Sequence, residues 1–396
     1  MNITATEQAT QFLDEHWDPA MDRQVWANVL VDSGWSAMRW PTEYCGRGLS
    51  DADAKACEAL FRERNAPGTG QDKLNLWAGT LMSHGSPELK AEFIRGILVD
   101  EIAMCLLYSE PGAGSDLAGL RTTAVRDGDE WIVNGQKVWT SGGKDADFGM
   151  LIARTDWDQP KHRGITFFFF PMKQPGVEVR PLRQATGDAR FNEVFITDAR
   201  VPDTHRLGEL NAGWMVLQTA LAYERAMMGI SKVSPSGDNA TGATAKAHGI
   251  IPRPDLSLIE LAQSVGKADD PVIRQRIARL YCIKMVNEWT STRATADMRK
   301  NGSSPLVSLG KLAMSEILHS AGRLQGHLLG NDAMLDGDQN PASRDANYSQ
   351  LNAYFTSIGG GTDQIQRNII GERVLGLPKE PELDRALPFR EVPANG

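Results

Sequence analysis

The sequence has no excess of positive charge and no long apolar run, and each absence excludes a class of protein. Its 396 residues include 42 Lys and Arg against 50 Asp and Glu, for a net charge of −8. No general surplus of cations is therefore available to neutralise nucleic-acid phosphates. No apolar stretch approaches the roughly 20 residues that a membrane-spanning helix needs. We expect neither a nucleic-acid-binding protein nor a membrane-spanning one.

Cysteines are also few, and the four present are scattered, with no CxxC pair and no cluster of histidines. We interpret them as reduced thiols and expect neither disulfides nor a metal site. The N-terminal stretch is polar and acidic, and it lacks the basic segment and apolar core of a signal peptide. The sequence predicts a cytoplasmic protein whose length suffices for two or three packed units.

The pattern of the sequence changes twice, which predicts three domains. Residues 1–104 carry apolar residues at helical spacing, residues 105–207 contain short β-like runs, and residues 208–396 return to long helical patterns. A Gly- and Ser-rich stretch at 231–249 reads as a flexible connection. We predict an α+β fold with an N-terminal helical domain, a small middle β barrel or sandwich, and a C-terminal antiparallel helical bundle.

Within the β-like region, strands are predicted at 148–154, 165–172 and 177–182, and Asn134-Gly135 predicts the tight turn of a β-hairpin. No strand is followed by a crossover helix, which argues against a parallel Rossmann sheet. The region therefore favours a largely antiparallel arrangement of short strands.

Two features of the same region suit a flat ligand with polar edges. The loop Ser109–Asp116 reads SEPGAGSD, and its small residues let backbone N–H groups approach a ligand closely. Further along, Trp139 stands among hydroxyl-bearing residues and glycines, including Ser141. An indole there can stack on a ring while hydroxyls reach its heteroatoms. Taken singly, the loop could be a surface turn and Trp139 a core aromatic.

A glutamate lies on the apolar face of the helix predicted at 211–230. Leu217, Leu221, Glu224 and Met228 are spaced four, three and four residues apart and so share one face. Because burying an unpaired carboxylate is costly, a carboxyl group in such a place tends toward a raised pKa, which suits a general base. A partner arginine or a subunit interface would also explain Glu224, and the spacing leaves both open.

A glycine-rich turn at 359–361 precedes the last long predicted helix. Bare backbone at a helix N-terminus can bind an anion. The turn is not a dinucleotide-binding fingerprint, because no strand precedes it and no βαβ unit follows it.

The loop SEPGAGSD, followed by Lys137-Val138-Trp139-Thr140-Ser141, closely resembles the flavin-binding signature of the acyl-CoA dehydrogenase family. The order of helices, strands and helices is similar to that family over nearly the whole chain. The resemblance implies an FAD-dependent homotetramer or homodimer that converts an acyl-CoA to a trans-2-enoyl-CoA and passes electrons to an electron-transfer flavoprotein. The FAD contacts that it implies are Leu107, Ser109, Gly114, Ser115, Trp139, Ser141, Arg274, Thr362 and Gln364.

In this family the turn before the last helix usually reads Glu-Gly-Thr, and its glutamate is the catalytic base. The match places Gly360 at that position, so the sequence departs from the usual pattern there. Glycine cannot accept a proton, although its N–H can still donate to the thioester carbonyl. A minority of the family carries its base on an earlier helix, in a Glu-Arg pair like Glu224-Arg225. The resemblance therefore implies Glu224 as the base.

Steroid-side-chain members of the family have a similar Gly-Gly-Gly-Thr turn with this alternative glutamate, which implies a bulky, steroid-derived acyl-CoA as substrate. The residues implied at the substrate are Ser115, Tyr223, Arg225 and Gly361. Two alternatives stay open. Some steroid-type members are α2β2 assemblies in which only one chain type carries a complete site, and other flavoenzymes of this fold catalyse monooxygenation or desulfination.

Overall fold

The computed structural model of the chain forms two compact units, each described here by itself. The first comprises residues 1–183, 189–250 and 383–396, and the second comprises residues 184–188 and 251–382. The boundaries predicted after residues 104 and 207 stay predictions, and the connection predicted at 231–249 lies outside the described residues. The structure describes residues 3–230, 254–301, 304–335, 340–381 and 384–393, and only the backbone of 225–230, 254–257 and 299.

The first unit begins with helices, as the apolar spacing predicts. They are α1 (Ala5–His16), α2 (Arg23–Asp32), α3 (Asp51–Glu63), α4 (Gln71–Leu74), α5 (Leu76–His84) and α6 (Pro87–Leu98). Several start at side chains that cap the first turn: Asp22, Ser50 and Ser86 each accept a hydrogen bond from a backbone N–H of the helix that follows. Local sequence therefore fixes where these helices begin.

A mixed sheet follows in the same unit. Its strands are β1 (Met104–Leu107), β2 (Thr123–Asp127), β3 (Glu130–Ser141), β4 (Phe148–Arg154), β5 (Ile165–Pro171), β6 (Val177–Leu182), β7 (Phe191–Pro202) and β8 (Arg206–Leu207). The strand order is β6-β7-β3-β2-β4-β5-β8, with β1 parallel to β4. The strands predicted as a barrel or sandwich thus belong to one sheet.

Both faces of this sheet are apolar, which explains the run of four phenylalanines in β5. Phe167 and Phe169 pack in the cluster shared with α5 and α6, whereas Phe168 and Phe170 pack on the other side with Trp131. Strand residues alternate between faces, so an unbroken apolar run is typical of a strand buried on both sides. Helix α7 (Gly213–Ile230) follows the sheet and packs against α5 and β5.

The hairpin turn predicted at Asn134-Gly135 is wrong, because both residues lie inside β3. The pairing of β3 with β7 shifts register between Val133 and Gly135, as at a β-bulge. Thr122 passes close by: a Cβ on Gly135 would lie 2.3 Å from the Thr122 Oγ1. The glycine serves a close backbone approach and not a turn.

The hairpin turn lies instead between β2 and β3. Asp127 pairs with Glu130 across a two-residue connection, and Gly128 in that connection has a φ of 63°. Glycine adopts this left-handed conformation at little cost.

Replacing Gly135 with alanine is expected to lower the free energy of unfolding by about 1–3 kcal/mol, because Thr122 must move to admit the methyl group. Urea unfolding of the flavin-free chain measures this loss. Gly114→Ala is the matched control, since a Cβ there meets no atom within 4 Å. Equal stability of the two variants would contradict the close approach.

The second unit consists of helices arranged around a central one. They are α8 (Pro254–Ser264), α9 (Pro271–Asn301), α10 (Val307–Leu329), α11 (Pro341–Ile358) and α12 (Asp363–Arg373). Helix α10 packs against each of the others. Its Gly322 and Gly326 admit Gln350 of α11, because a Cβ on either glycine would lie within 3 Å of that side chain.

None of the helices in the described part of the chain is both long and apolar enough to cross a membrane. The four cysteines are free: Cys57 and Cys105 are buried, Cys45 is half-buried and Cys282 is exposed.

Candidate active site

The loop at 109–116 is held firmly at the end of β1. Glu110 and Ala113 exchange backbone hydrogen bonds of 3.0 Å in both directions, which closes a tight turn. The Ser109 carbonyl accepts a hydrogen bond from the Val138 N–H at 2.9 Å, which joins the loop to β3. Gly114 and Ser115 are exposed, and open space surrounds the Cα of Gly114. The loop therefore offers bare backbone to a ligand on its outer side.

A buried ion pair anchors this loop from its inner side. The Glu110 carboxylate accepts hydrogen bonds from Lys137 Nζ at 2.8 Å and from the N–H groups of Arg121 and Thr122 at 2.7 and 2.9 Å. Lys137 is wholly buried and also donates to the Tyr108 carbonyl at 3.1 Å. Burial works to raise the pKa of Glu110, but Lys137 and the N–H donors outweigh it and lower that pKa. The pair is therefore ionised.

Lys137→Met leaves the Glu110 carboxylate buried without its cation. We expect the free energy of unfolding to fall by about 3–5 kcal/mol, the usual cost of breaking a buried pair from one side. The double variant Lys137→Met/Glu110→Gln should recover much of this loss, because a neutral amide oxygen can still accept from the two N–H groups. Urea unfolding of both variants tests this, and a single variant as stable as wild type would contradict it.

Trp139 combines a large exposed side chain with an unfavourable backbone conformation. It is 56% exposed, and its φ of 64° lies in the left-handed region that residues other than glycine rarely adopt. The register of β3 against β7 shifts between Lys137 and Thr140, and the indole meets the ring of Phe191 edge-to-face at 5.9 Å. The alternative that Trp139 is a core aromatic is therefore wrong. A strained backbone that holds an aromatic ring in the open suggests a ligand contact.

Two other residues implied at the cofactor lie near these features. Ser141, half-buried, ends β3 and pairs with Phe191 of β7. Leu107 of β1 is wholly buried, so only its backbone is available to a ligand.

Helix α7 carries Glu224 along the buried side of the helix. Leu217 is fully buried, and Leu221 and Glu224 are half-buried, as their spacing predicts for one face. Tyr223, which precedes Glu224, packs against Gly79 of α5. A Cβ on Gly79 would lie 2.6 Å from the Tyr223 ring. The side chains of Arg225 and Met228 lie outside the described residues.

Tyr108 is a candidate site residue that the sequence did not reveal. It is 7% exposed, and its hydroxyl is buried without a hydrogen-bond partner among the described groups. It packs in the same apolar cluster as Leu217. Burial and the nearby Glu224 charge raise the pKa of Tyr108 well above its usual value. Its position directly before Ser109 was the only signal in the sequence.

In the second unit, the glycine-rich turn connects α11 to α12. Gly360 and Gly361 have φ values of 64° and 83°, which glycine adopts readily. Thr362 caps α12 by accepting a hydrogen bond from the Ile365 N–H at 3.2 Å. The buried Gln366 amide donates to the carbonyl oxygens of Gly360 and Gly361 at 3.2 and 3.5 Å. These contacts fix a glycine backbone at a helix N-terminus, where an oxygen bearing negative charge is stabilised.

Two further contacts fix the start of α12. Asp363 accepts hydrogen bonds from Lys311 Nζ at 3.1 Å and from Ser315 Oγ at 2.7 Å, both from α10. Gln364 in the same turn is exposed, whereas Arg274, also exposed, belongs to the first turn of α9. Thr362 and Gln364 are thus brought to the glycine-rich turn, while Arg274 lies on a different helix.

Comparison with known proteins identifies the fold. Family models for the acyl-CoA dehydrogenase middle domain and C-terminal domain match residues 105–199 and 257–375. The acyl-CoA dehydrogenase IpdE1 of Mycobacterium tuberculosis is 35% identical over 374 residues, which cover 91% of this chain and 89% of that protein. The chain belongs to the acyl-CoA dehydrogenase family. FadE34 of the same organism is 37% identical over 376 residues, but these cover only 47% of its length.

Solved structures agree with this assignment. The structure named Tcur3481-Tcur3483 steroid ACAD is 26% identical, with a TM-score of 0.70, over 95% of this chain and 97% of that one. The ChsE4-ChsE5 complex from Mycobacterium tuberculosis is 28% identical, with a TM-score of 0.66, over 96% and 100% of the two chains. The predicted α+β fold of the acyl-CoA dehydrogenases is confirmed.

This acyl-CoA dehydrogenase is an oxidoreductase, and its cofactor is FAD. The described residues fit that cofactor. Within the first unit, the exposed indole of Trp139 can stack on a flavin ring, and the backbone near Gly114 admits close approach of a ligand. The individual FAD contacts named from the sequence stay predictions.

Proposed function

We propose that this enzyme oxidises a bulky, steroid-derived acyl-CoA and that Glu224 is its catalytic base. The observation that carries the proposal is the combination of Gly360, which has no proton-accepting side chain, with a half-buried carboxylate on the apolar side of α7. Structures named as steroid acyl-CoA dehydrogenases support the substrate class. Electrons then pass to an electron-transfer flavoprotein.

In the proposed reaction, Glu224 takes the α-proton of the thioester. Bound FAD would supply the oxidant for the β-hydride. The family resemblance assigns the N–H of Gly360 as donor to the thioester carbonyl oxygen, on which negative charge develops as the proton leaves. The Gln366 side-chain amide donates a hydrogen bond to the Gly360 carbonyl oxygen, and this bond helps to fix the orientation of the Gly360 peptide. The product is a trans-2-enoyl-CoA.

Other residues bind and orient the reactants. In the first unit, Ser115 and Tyr223 contact the acyl-CoA, and Trp139 packs on the flavin. For Arg225 and Gly361 a substrate contact is implied by the family resemblance alone. Because Tyr223 rests on the bare Cα of Gly79, α5 and α7 approach each other closely beside the apolar face that leads to Glu224. An acyl chain placed along this face excludes water from the carboxylate, which strengthens its attraction for the α-proton.

Glu224→Gln should retain FAD but lose at least about a thousandfold in the rate of flavin reduction, because the amide cannot accept the proton. The measurement is an anaerobic titration with steroid-side-chain and straight-chain acyl-CoAs, followed by flavin absorbance. Glu209→Gln, a change at an exposed carboxylate in the same unit, is the control. A variant that is reduced at the wild-type rate would refute the base assignment.

The same titration tests the substrate class and the chemistry. Bleaching of the flavin by straight-chain thioesters alone would refute the steroid assignment. Hydrogen peroxide or a hydroxylated product formed without enoyl-CoA would instead support the flavin monooxygenase alternative.

A second proposal is that this chain works as one subunit of an α2β2 heteromer. Two similar structures carry paired names, and FadE34 is about twice as long as the region that this chain matches. A heteromeric subunit purified alone should lose most of its FAD, whereas a homo-oligomer should retain about one FAD per chain. Flavin absorbance against protein concentration, together with the mass by light scattering, decides between them.

A further inference from the structure

Tyr108 carries a buried hydroxyl for which the reaction described so far has no use. The residue is 7% exposed, and its hydroxyl finds no hydrogen-bond partner among the described groups. Buried hydroxyls are normally paired, because an unpaired one loses its hydrogen bonds to water and gains nothing in return. A buried hydroxyl that is unpaired among the described groups therefore calls for a bridging water molecule as its partner.

Tyr108 packs in the same apolar cluster as the face of α7 that carries the proposed base. Its ring meets Phe167 of β5 edge-to-face at 5.9 Å, and it packs in one cluster with Leu217 and the half-buried Leu221 of α7. Its own carbonyl is held by Lys137 Nζ, so the backbone at this point is fixed. Burial, and after it the charge of Glu224, raises the pKa of the Tyr108 phenol, in keeping with this packing.

We propose that Tyr108 is a positioning residue for the base, whose hydroxyl donates a hydrogen bond to a water molecule that bridges it to the Glu224 carboxylate. This proposal rests on the assignment of Glu224 as the base. A carboxylate can take a proton only when it is ionised, yet an apolar surface favours its neutral form. A neutral donor aimed at the carboxylate stabilises the ionised form without adding a cation that would compete for the substrate proton.

Helices α5 and α7, which contribute to the same cluster, carry three titratable side chains among the described residues: Tyr223 and Glu224 on α7 and His84 on α5. The Nε2 of His84 is paired with the Thr219 hydroxyl at 2.8 Å. On the side of β3, Lys137 is paired with Glu110. The side chain of Arg225 lies outside the described residues.

Tyr108→Phe removes only the hydroxyl and tests the proposal in the holoenzyme. The acidic limb of the pH profile for flavin reduction by acyl-CoA should move upward by about one pH unit, as expected for the loss of one hydrogen bond to a charged group. Below that limb the rate should fall about tenfold, and well above it the rate should match wild type. Tyr44→Phe, at a half-buried tyrosine in the same unit, should leave the profile unchanged.

A second measurement needs no turnover and does not depend on the folding of Tyr108→Phe. With 3-fluorotyrosine at position 108 of the holoenzyme, the ¹⁹F chemical shift reports changes of charge beside the phenol. As the pH is lowered, the shift should change in one step with the protonation of the Glu224 carboxylate, and this step should be missing in Glu224→Gln. A step of the same size in both proteins, or no step in either, would overturn the proposal.

The two proposals fail in different ways. If Glu224→Gln is reduced by acyl-CoA at the wild-type rate, the base assignment fails and the role of Tyr108 fails with it. If Glu224→Gln blocks reduction but Tyr108→Phe leaves the acidic limb in place, only the role of Tyr108 is overturned.

Discussion

The arrangement of the first unit depends on the buried ion pair between Glu110 and Lys137. It joins the SEPGAGSD loop to β3. Both side chains are buried there, and either charge without the other would greatly lower the stability of the fold. One end of the pair accepts backbone N–H groups after the loop, and the other end donates to the Tyr108 carbonyl before it. Two residues beyond Lys137, β3 bends at Trp139. The same pair therefore fixes the loop, the exposed indole and the tyrosine that faces α7.

The turn before α12 has a glycine where the family usually has a glutamate, and the nearest equivalent carboxylate in our proposal is Glu224 on α7. The two positions differ in how the surrounding structure supports a charge. Gly360 and Gly361 adopt left-handed conformations that a side chain would strain, and Gln366 and Asp363 hold the surrounding turn. The turn therefore exposes backbone groups and no proton-accepting side chain. Glu224 lies instead at the end of a packed apolar face on α7, where a charge is costly unless other groups stabilise it. In our proposals Glu224 is the base, and the Tyr108 hydroxyl stabilises its ionised form.

Much of the fold could be predicted from local sequence. The bounds of β4 and β6 match the predicted runs, and the region 1–104 is helical up to Leu98, as its apolar spacing predicts. The resemblance to the family rested on the loop and on Trp139, both short and contiguous. The turn predicted at Asn134-Gly135 was wrong, because this dipeptide occurs both in tight turns and at β-bulges. What distinguishes the two here is the close contact of Thr122 with Gly135, which depends on tertiary structure.

The sequence by itself determined the family, the cofactor and the absence of a base at Gly360, because these follow from residue identities at fixed spacing. Tertiary structure alone decided that Trp139 is exposed in a left-handed conformation and that the Tyr108 hydroxyl is buried without a partner. Exposure and hydrogen bonding depend on groups far apart in the chain, such as β5 and α7 around Tyr108. No local pattern encodes them, since burial is a property of the packed assembly of elements and not of any one of them.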